Sequence, residues 1–189
     1  YLFFEYVRPQ AVYESINVFP WTQTTIILCL IALVLEKGPP RMRTMISGLM
    51  ILFSTIVLIS SATARRPDLA WAGIDLYLSW LLIFLLITNT VTTERRFFVF
   101  ILSFLLYSLK MSQHGTRAWI GIGFGFRDWG APGAPGWFHN SGEFGIQMCV
   151  FLPLALHFIW AVKPQIPRWK YTLLWIMPIT AVMSMVGSS

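Results

Sequence analysis

The chain has 189 residues, of which 56% are hydrophobic and only 12% are charged. A soluble domain carries about 25% charged residues and could not bury so much apolar surface in a core of this length, so a soluble globular protein is excluded. The net charge of +6 does not indicate a nucleic-acid-binding protein either, because the basic residues stand in short clusters between apolar blocks, as in membrane proteins.

Long apolar blocks predict an all-α fold, a polytopic transmembrane helix bundle of about six spans that follows a truncated first segment at Tyr1–Val7. Each span should be helical, because lipid offers no hydrogen-bond partner to backbone groups. A full span needs about 20 residues, and the first and fourth blocks are shorter than that, so they either lengthen at their ends or the membrane thins around them. In chain order the spans are expected at Trp21–Leu35, Thr44–Ala64, Trp71–Val91, Phe97–Met111, Gly142–Val162 and Tyr171–Gly187.

One long connection interrupts this pattern, at about residues 112–141. It is rich in glycine and proline, but it also contains Trp119, Trp129 and Trp137, which argue against disorder. We therefore predict a single transmembrane domain over residues 1–189 with an ordered outer loop at 112–141. Because both ends of the chain lie beside apolar stretches, we expect it to be part of a longer protein.

Lysine and arginine residues in the connections predict the orientation of the spans. Three short connections on one side are dense in basic residues, which places them in the cytoplasm. The 112–141 loop on the opposite side is then periplasmic or, more generally, extracytoplasmic. The dense connections carry Lys37, Arg41, Arg43, Arg95, Arg96, Lys163, Arg168 and Lys170.

The most informative polar segment runs from Arg127 to Glu143. Asn140 or Ser141 is predicted to cap the fifth span, with Glu143 in the first turn of that helix. A helix N-terminus favours anions, and an arginine can hold a phosphate through two parallel hydrogen bonds. The alternative, of equal weight, is that Arg127 only forms an ion pair with Asp128 or Glu143.

Four residues are candidates for substrate binding and two for catalysis. Lys110, Arg117 and Arg127 supply cations for a diphosphate, and Asn140 lies at the same helix start. His139 and Glu143 are the candidate catalytic residues. His139 is the best general-base candidate because an imidazole titrates near neutral pH, although a turn or capping role is the alternative.

Other motifs carry less information about chemistry. The run Gly121-Ile-Gly-Phe-Gly125 lacks both the spacing and the lysine of a phosphate-binding loop, so we interpret it as a flexible interfacial stretch rich in aromatic residues. The chain shows no metal-ligand spacing and no cofactor motif. Pro153 and Pro178 are expected to kink their helices.

The order of these features resembles the bacterial O-antigen ligase and Wzy-type polymerase superfamily, and most closely the O-glycosylation ligases found beside exosortase systems. The resemblance covers most of the chain, although relatives often carry other residues than His139 and Ser141. The motifs that carry it are Arg8-Pro9, Glu94-Arg95-Arg96, Arg127-x-Trp-Gly-x-Pro-Gly, Phe138-x-Asn140-x-x-Glu143 and Leu152-Pro153-Leu154.

The resemblance implies an inverting, metal-independent glycosyltransferase of the bacterial inner membrane that uses no cofactor. Such enzymes move a glycan from an undecaprenyl-diphosphate carrier to an acceptor on the periplasmic face, either lipid A-core, a growing polysaccharide or a protein. The chain would be the N-terminal half of the enzyme, inactive alone, with membrane lipid as a further partner and no nucleic acid. The alternatives are a flippase or other transporter of lipid-linked oligosaccharides, which should show charges inside several spans, and a non-catalytic membrane scaffold.

Overall fold

A computed structural model describes residues 1–9, 13, 15, 17–36, 44–126, 130, 138 and 140–188. Within these ranges the regular structure is entirely helical, and the predicted all-α fold is confirmed. The helices are α1 (Leu2–Tyr6), α2 (Trp21–Leu35), α3 (Met45–Ala62), α4 (Pro67–Ala72), α5 (Ile74–Thr90), α6 (Glu94–Gly121), α7 (Ser141–Val162), α8 (Arg168–Leu174) and α9 (Ile176–Ser188), with a 3-10 turn at Lys163–Gln165.

Five helical segments of the described chain are long and apolar enough to cross a membrane. They are Met45–Ala62, Pro67–Thr90, Glu94–Gly121, Ser141–Gln165 and Arg168–Ser188. The remaining predicted span, Trp21–Leu35, forms an apolar helix of only 15 residues. All six predicted apolar blocks are therefore helical, and five of them reach the length that a span requires.

Helix α3 exposes large apolar side chains and buries two of its serines, as a helix that faces lipid does. Its buried residues are Ser47 and Ser61, whereas Leu52 is 57% exposed and Phe53 is 52% exposed. A soluble protein would bury the large apolar side chains and leave the serines in water. In a membrane, small and hydroxyl-bearing residues pack between helices while large apolar side chains contact lipid. This distribution is that of a polytopic membrane protein.

The described residues form two compact units, and the single transmembrane domain stays a prediction. Unit 1 comprises Tyr1–Thr22 and Phe98–Ser189, and unit 2 comprises Gln23–Phe97. In unit 2 a hydrogen bond of 2.6 Å joins the hydroxyls of Ser54 on α3 and Tyr77 on α5. Arg96 bonds the carbonyl of Thr90 at the end of α5, which suits the negative end of that helix.

Unit 1 is organised around α6, α7 and α9. Its fully buried side chains include Leu105 on α6, Phe144 and Phe151 on α7, and Ala181 on α9. Helix α6 runs antiparallel to α7. A Cβ added to Gly115 would collide with the Phe144 ring at one end, and the Phe98 and Phe158 rings lie 5.9 Å apart at the other.

The two prolines act differently. Helix α7 continues through Pro153, whereas the predicted last span is broken at Trp175, between α8 and α9. Pro178 explains the break, because its ring lacks an N–H and clashes with the carbonyl of the residue four positions earlier, Leu174. The sixth block is thus two short helices that together have the length of one span.

The predicted start of the outer loop is wrong. We expected the fourth span to end at Met111 and the loop to begin at 112, but α6 continues to Gly121. The reason is that Ser112, Gly115 and Thr116 are buried against α9, where their small size and hydroxyl groups serve helix packing. Arg117 consequently lies on a helix rather than in a loop, and it shares that helix with Lys110.

Candidate substrate-binding face

Three helix ends meet at one end of unit 1: the C-termini of α6 and α9 and the N-terminus of α7. Glycines make the close approach possible. A Cβ placed on Gly187 of α9 would lie 2.6 Å from Cγ of Trp119 on α6, and one on Gly145 of α7 would lie 2.9 Å from the Ser188 hydroxyl. Distances this short favour glycine, so the backbone of each of these two positions packs directly against a side chain of a neighbouring helix end.

A buried hydroxyl seam joins α6 to α9 beneath these ends. The hydroxyls of Ser112 and Thr180 are 2.8 Å apart, and Ser184 donates to the Ser112 carbonyl at 2.6 Å. Thr116 donates to the Thr180 carbonyl at 3.1 Å. In the absence of water, each of these bonds satisfies a polar group that would otherwise destabilise the interior. The seam therefore fixes how α6 is rotated.

Because the seam faces inward, the opposite side of α6 is turned outward. Lys110, His114 and Arg117 lie on that side, at spacings of four and three residues, and all three are exposed. The sequence contains no acidic residue from Phe97 to Phe126, so helix neighbours do not neutralise these cations. We call Lys110, His114 and Arg117 the cationic face. It brings together two of the predicted substrate-binding residues, about 10.5 Å apart along the helix axis.

Helix α6 ends in a Schellman motif at the glycine-rich run. Gly123 has φ +70 and donates to the Ile120 carbonyl, and Phe124 donates to the Trp119 carbonyl. The Phe124 and Trp119 rings are in contact, with centroids 5.0 Å apart. We interpreted Gly121–Gly125 as a flexible stretch, but its glycine at position 123 has the defined task of terminating a helix, because a left-handed backbone favours glycine.

Helix α7 begins as predicted. The side chain of Asn140 accepts a hydrogen bond of 2.8 Å from the backbone N–H of Glu143, which makes Asn140 the N-cap. Ser141 is the first helical residue, and Glu143 lies in the first turn with its side chain exposed. Since Phe144 contacts Gly115 of α6, Glu143 and Arg117 belong to the same end of unit 1.

Three residues of the predicted site lie outside the described residues. They are Arg127, Asp128 and His139. Their predicted roles in phosphate binding, ion pairing and general base catalysis therefore remain predictions. Within the part of the chain that is described, no three His, Cys, Asp or Glu side chains come close enough together to hold a metal ion.

The seam itself was missed by our sequence analysis, although the sequence contains a signal for it. Small hydroxyl residues recur at every fourth position in two stretches that begin inside the fourth and sixth apolar blocks, so each set forms a stripe along one helix face. Ser108, Ser112 and Thr116 form the stripe on α6, and Thr180, Ser184 and Ser188 form the one on α9. Matching stripes of this kind indicate two helices that pack together in a membrane.

Comparison with known proteins adds no relative to this description. No family model, no curated protein and no solved structure matches the chain.

Proposed function

We propose that the chain is part of a membrane glycosyltransferase that moves a glycan from an undecaprenyl-diphosphate carrier to an acceptor on the periplasmic face. The cationic face of α6 is the observation that carries this proposal. Transfer from a lipid-linked diphosphate requires fixed positive charge for the leaving phosphates and a base for the acceptor hydroxyl. The proposal also draws on the resemblance of the sequence motifs to O-antigen ligases.

The length of α6 supports a position for these cations at the membrane surface. Its 28 residues correspond to about 42 Å, which exceeds a hydrocarbon core of about 30 Å. Phe97 and Arg117 are about 30 Å apart along the helix axis, which equals the thickness of the hydrocarbon core. If Phe97 lies at one membrane surface, Arg117 therefore lies at the opposite surface. The phosphates of a lipid-linked donor lie at this depth.

The start of α7 places a candidate base, Glu143, at the same end of unit 1 as the cation Arg117. Its N-terminus carries a partial positive charge that favours an anion, and Asn140 fixes the backbone that holds Glu143. In the proposed enzyme, Arg117 and Lys110 contact the donor diphosphate, and Asn140 binds the substrate at the start of α7. Glu143 and His139 are the candidates for accepting the proton of the acceptor hydroxyl.

The structure gives no support to the transporter alternative. Among the side chains described, every buried polar one is a serine or a threonine, whereas a transporter is expected to hold ionisable groups at the midplane. A non-catalytic scaffold has no need for an exposed cationic face on a helix that carries no acidic residue from Phe97 to Phe126. The proposed transferase gives that face a role.

The proposal is tested by glycan transfer in a bacterial strain that lacks the native gene and expresses the full-length protein. Arg117→Ala should lower transfer about tenfold or more, because a fixed charge on the leaving group is lost. Arg117→Lys should recover part of it, since the charge remains while the planar fork is lost. Arg95→Ala is the matched control, an exposed arginine at the opposite end of the same helix. Normal transfer by Arg117→Ala at an equal membrane level would contradict the proposal.

A further inference from the structure

The short helix α1 lies along α6 in unit 1. The Phe3 ring packs edge-on against Tyr107 with centroids 6.1 Å apart, and Tyr6 packs against Phe104 at 5.6 Å. At the end of α1, Nζ of Lys110 donates to the carbonyl of Val7 over 3.3 Å. Phe3, Tyr6 and Val7 thus contact α6 within its residues 104–110, so side chains of α6 hold α1 near its beginning and at its end.

Helix α1 ends where the cationic face begins. Tyr107, Lys110, His114 and Arg117 follow one another at spacings of three, four and three residues and so lie on one side of α6. Phe3 packs against Tyr107, Val7 contacts Lys110, and α1 reaches no further. The last three residues of the row stay exposed. The end of α1 and the cationic face therefore form one continuous surface.

Arg8 adds another cation at this junction. It follows Val7 directly, and its guanidinium lies 3.6 Å from the carboxylate of Glu5. A charge-assisted hydrogen bond has a length of about 2.8 Å, so this ion pair is loose. Both side chains are only partly exposed, at 30% for Arg8 and 19% for Glu5. Arg8, beside Glu5, and Lys110, at the carbonyl of Val7, thus lie at the same end of α1.

The backbone of Arg8 is unusual as well. Its φ is +44, in the left-handed region that a side chain other than that of glycine or asparagine rarely adopts. Backbone strain of this kind clusters at ligand-binding and active sites. Arg8 adopts this conformation directly after Val7, whose carbonyl accepts from Lys110.

We propose that Arg8 and Lys110 together bind the phosphate group of a lipid. Arg8 supplies a planar fork and Lys110 a point charge, and the loose contact of Arg8 with Glu5 lengthens when the phosphate binds. As a subsite for the lipid-linked donor this inference rests on the proposed function, since it adds Arg8 to the residues that hold the diphosphate. The same chemistry also fits an anionic phospholipid of the bilayer, and the experiment separates the two sources.

The experiment measures binding to the purified full-length protein in nanodiscs made of a zwitterionic lipid. The probes are undecaprenyl diphosphate, phosphatidylglycerol and inorganic diphosphate, each titrated separately. Arg8→Gln and Lys110→Gln should each lower the affinity for undecaprenyl diphosphate, or for both lipid probes, about tenfold, since a hydrogen bond to a charged group contributes roughly 1.5 kcal/mol or more. Loss for undecaprenyl diphosphate alone identifies the donor, and loss for both lipids identifies a general lipid phosphate.

Two control variants test whether a loss of affinity is specific to the site. Arg95→Gln removes an exposed arginine from the far end of α6 and should leave all three affinities unchanged. Arg8→Lys preserves the charge and should lose affinity by a smaller factor, which makes the result independent of whether the neutral variant folds poorly. Wild-type affinity for both lipids in Arg8→Gln, Arg8→Lys and Lys110→Gln would overturn the site. If binding is lost as expected but the wild-type protein transfers no glycan, the lipid-phosphate site stands and only the proposed function fails.

Discussion

The hydroxyls of Ser112 on α6 and Thr180 on α9 are 2.8 Å apart in the buried interior of unit 1, although 68 positions separate them in the sequence. Around them Thr116 and Ser184 complete the seam, and all four residues are buried. These hydrogen bonds fix the rotation of α6 about its own axis relative to α9. The cationic face of α6 depends on that rotation.

Thr180→Val should destabilise the protein by about 0.6 kcal/mol, the average for a hydrogen bond between membrane helices, and by no more than about 1.7 kcal/mol. Valine keeps the shape of threonine and removes only the hydroxyl. Equilibrium unfolding of the full chain in mixed micelles with SDS measures the change. Thr172→Val is the control, because the Thr172 hydroxyl bonds only its own helix and is exposed. A double-mutant cycle with Ser112→Ala should give a favourable coupling, and a coupling of zero would contradict the seam.

Gly115→Ala should destabilise the protein by about 1–3 kcal/mol because the added methyl group overpacks the interior. The methyl would meet the Phe144 ring and, at 2.9 Å, the Ser184 hydroxyl. Gly48→Ala on α3 provides the comparison, since nothing lies within 4 Å of its new Cβ, and alanine in an open helix position stabilises by up to about 1 kcal/mol. Equal effects of both substitutions on SDS unfolding would show that α6 and α7 are not in contact at Gly115.

Asn140→Ala should cost about 1 kcal/mol, because the backbone N–H of Glu143 loses its acceptor. Ser141→Ala should cost much less, since Ser141 is the first residue inside the helix rather than its cap. Unfolding measurements on both variants decide between the two positions. A larger loss of stability for Ser141→Ala than for Asn140→Ala would show that Ser141, and not Asn140, is the N-cap.

Arg127→Ala should abolish most glycan transfer while leaving expression and membrane insertion intact, if Arg127 binds the donor diphosphate. Arg127→Lys should recover only part of the transfer because the two-pronged contact is lost. The alternative, an ion pair with Asp128 or Glu143, predicts that neutralising the carboxylate together with Arg127 restores activity. Transfer is measured in the strain without the native gene, with membrane levels determined in parallel. Normal transfer by Arg127→Ala would rule out the role.

The orientation predicted from loop charges is tested by cysteine labelling in intact cells, after Cys29 and Cys149 have been replaced. Phe126→Cys, at a position that is 67% exposed just beyond α6, should react with a membrane-impermeant reagent. Gln165→Cys, in the exposed turn after α7, should react only after lysis. The reverse pattern would invert the topology. Ser112 is unsuitable as a reporter because it is fully buried.

Local chemistry in the sequence determined the helices themselves and several of their ends. Apolar blocks have to be helical in lipid, so all six were found, and the Asn140 cap was predicted because an N-cap involves residues only three positions apart. The break at Trp175 likewise follows from Pro178, four residues from the carbonyl with which it clashes.

The tertiary structure decided where the fourth span ends and which residues share a face with Lys110. From the sequence alone, the polar stretch after Met111 is compatible with a loop. It is helical because its hydroxyls bond Thr180 and Ser184, which lie more than 60 positions later in the chain and could not be identified as partners from local sequence. In an apolar interior a hydroxyl is satisfied only by another protein group, so the packing of α9 keeps Ser112 and Thr116 helical. The contact of Lys110 with Val7 spans 103 positions and arises in the same way, from the packing of α1 on α6.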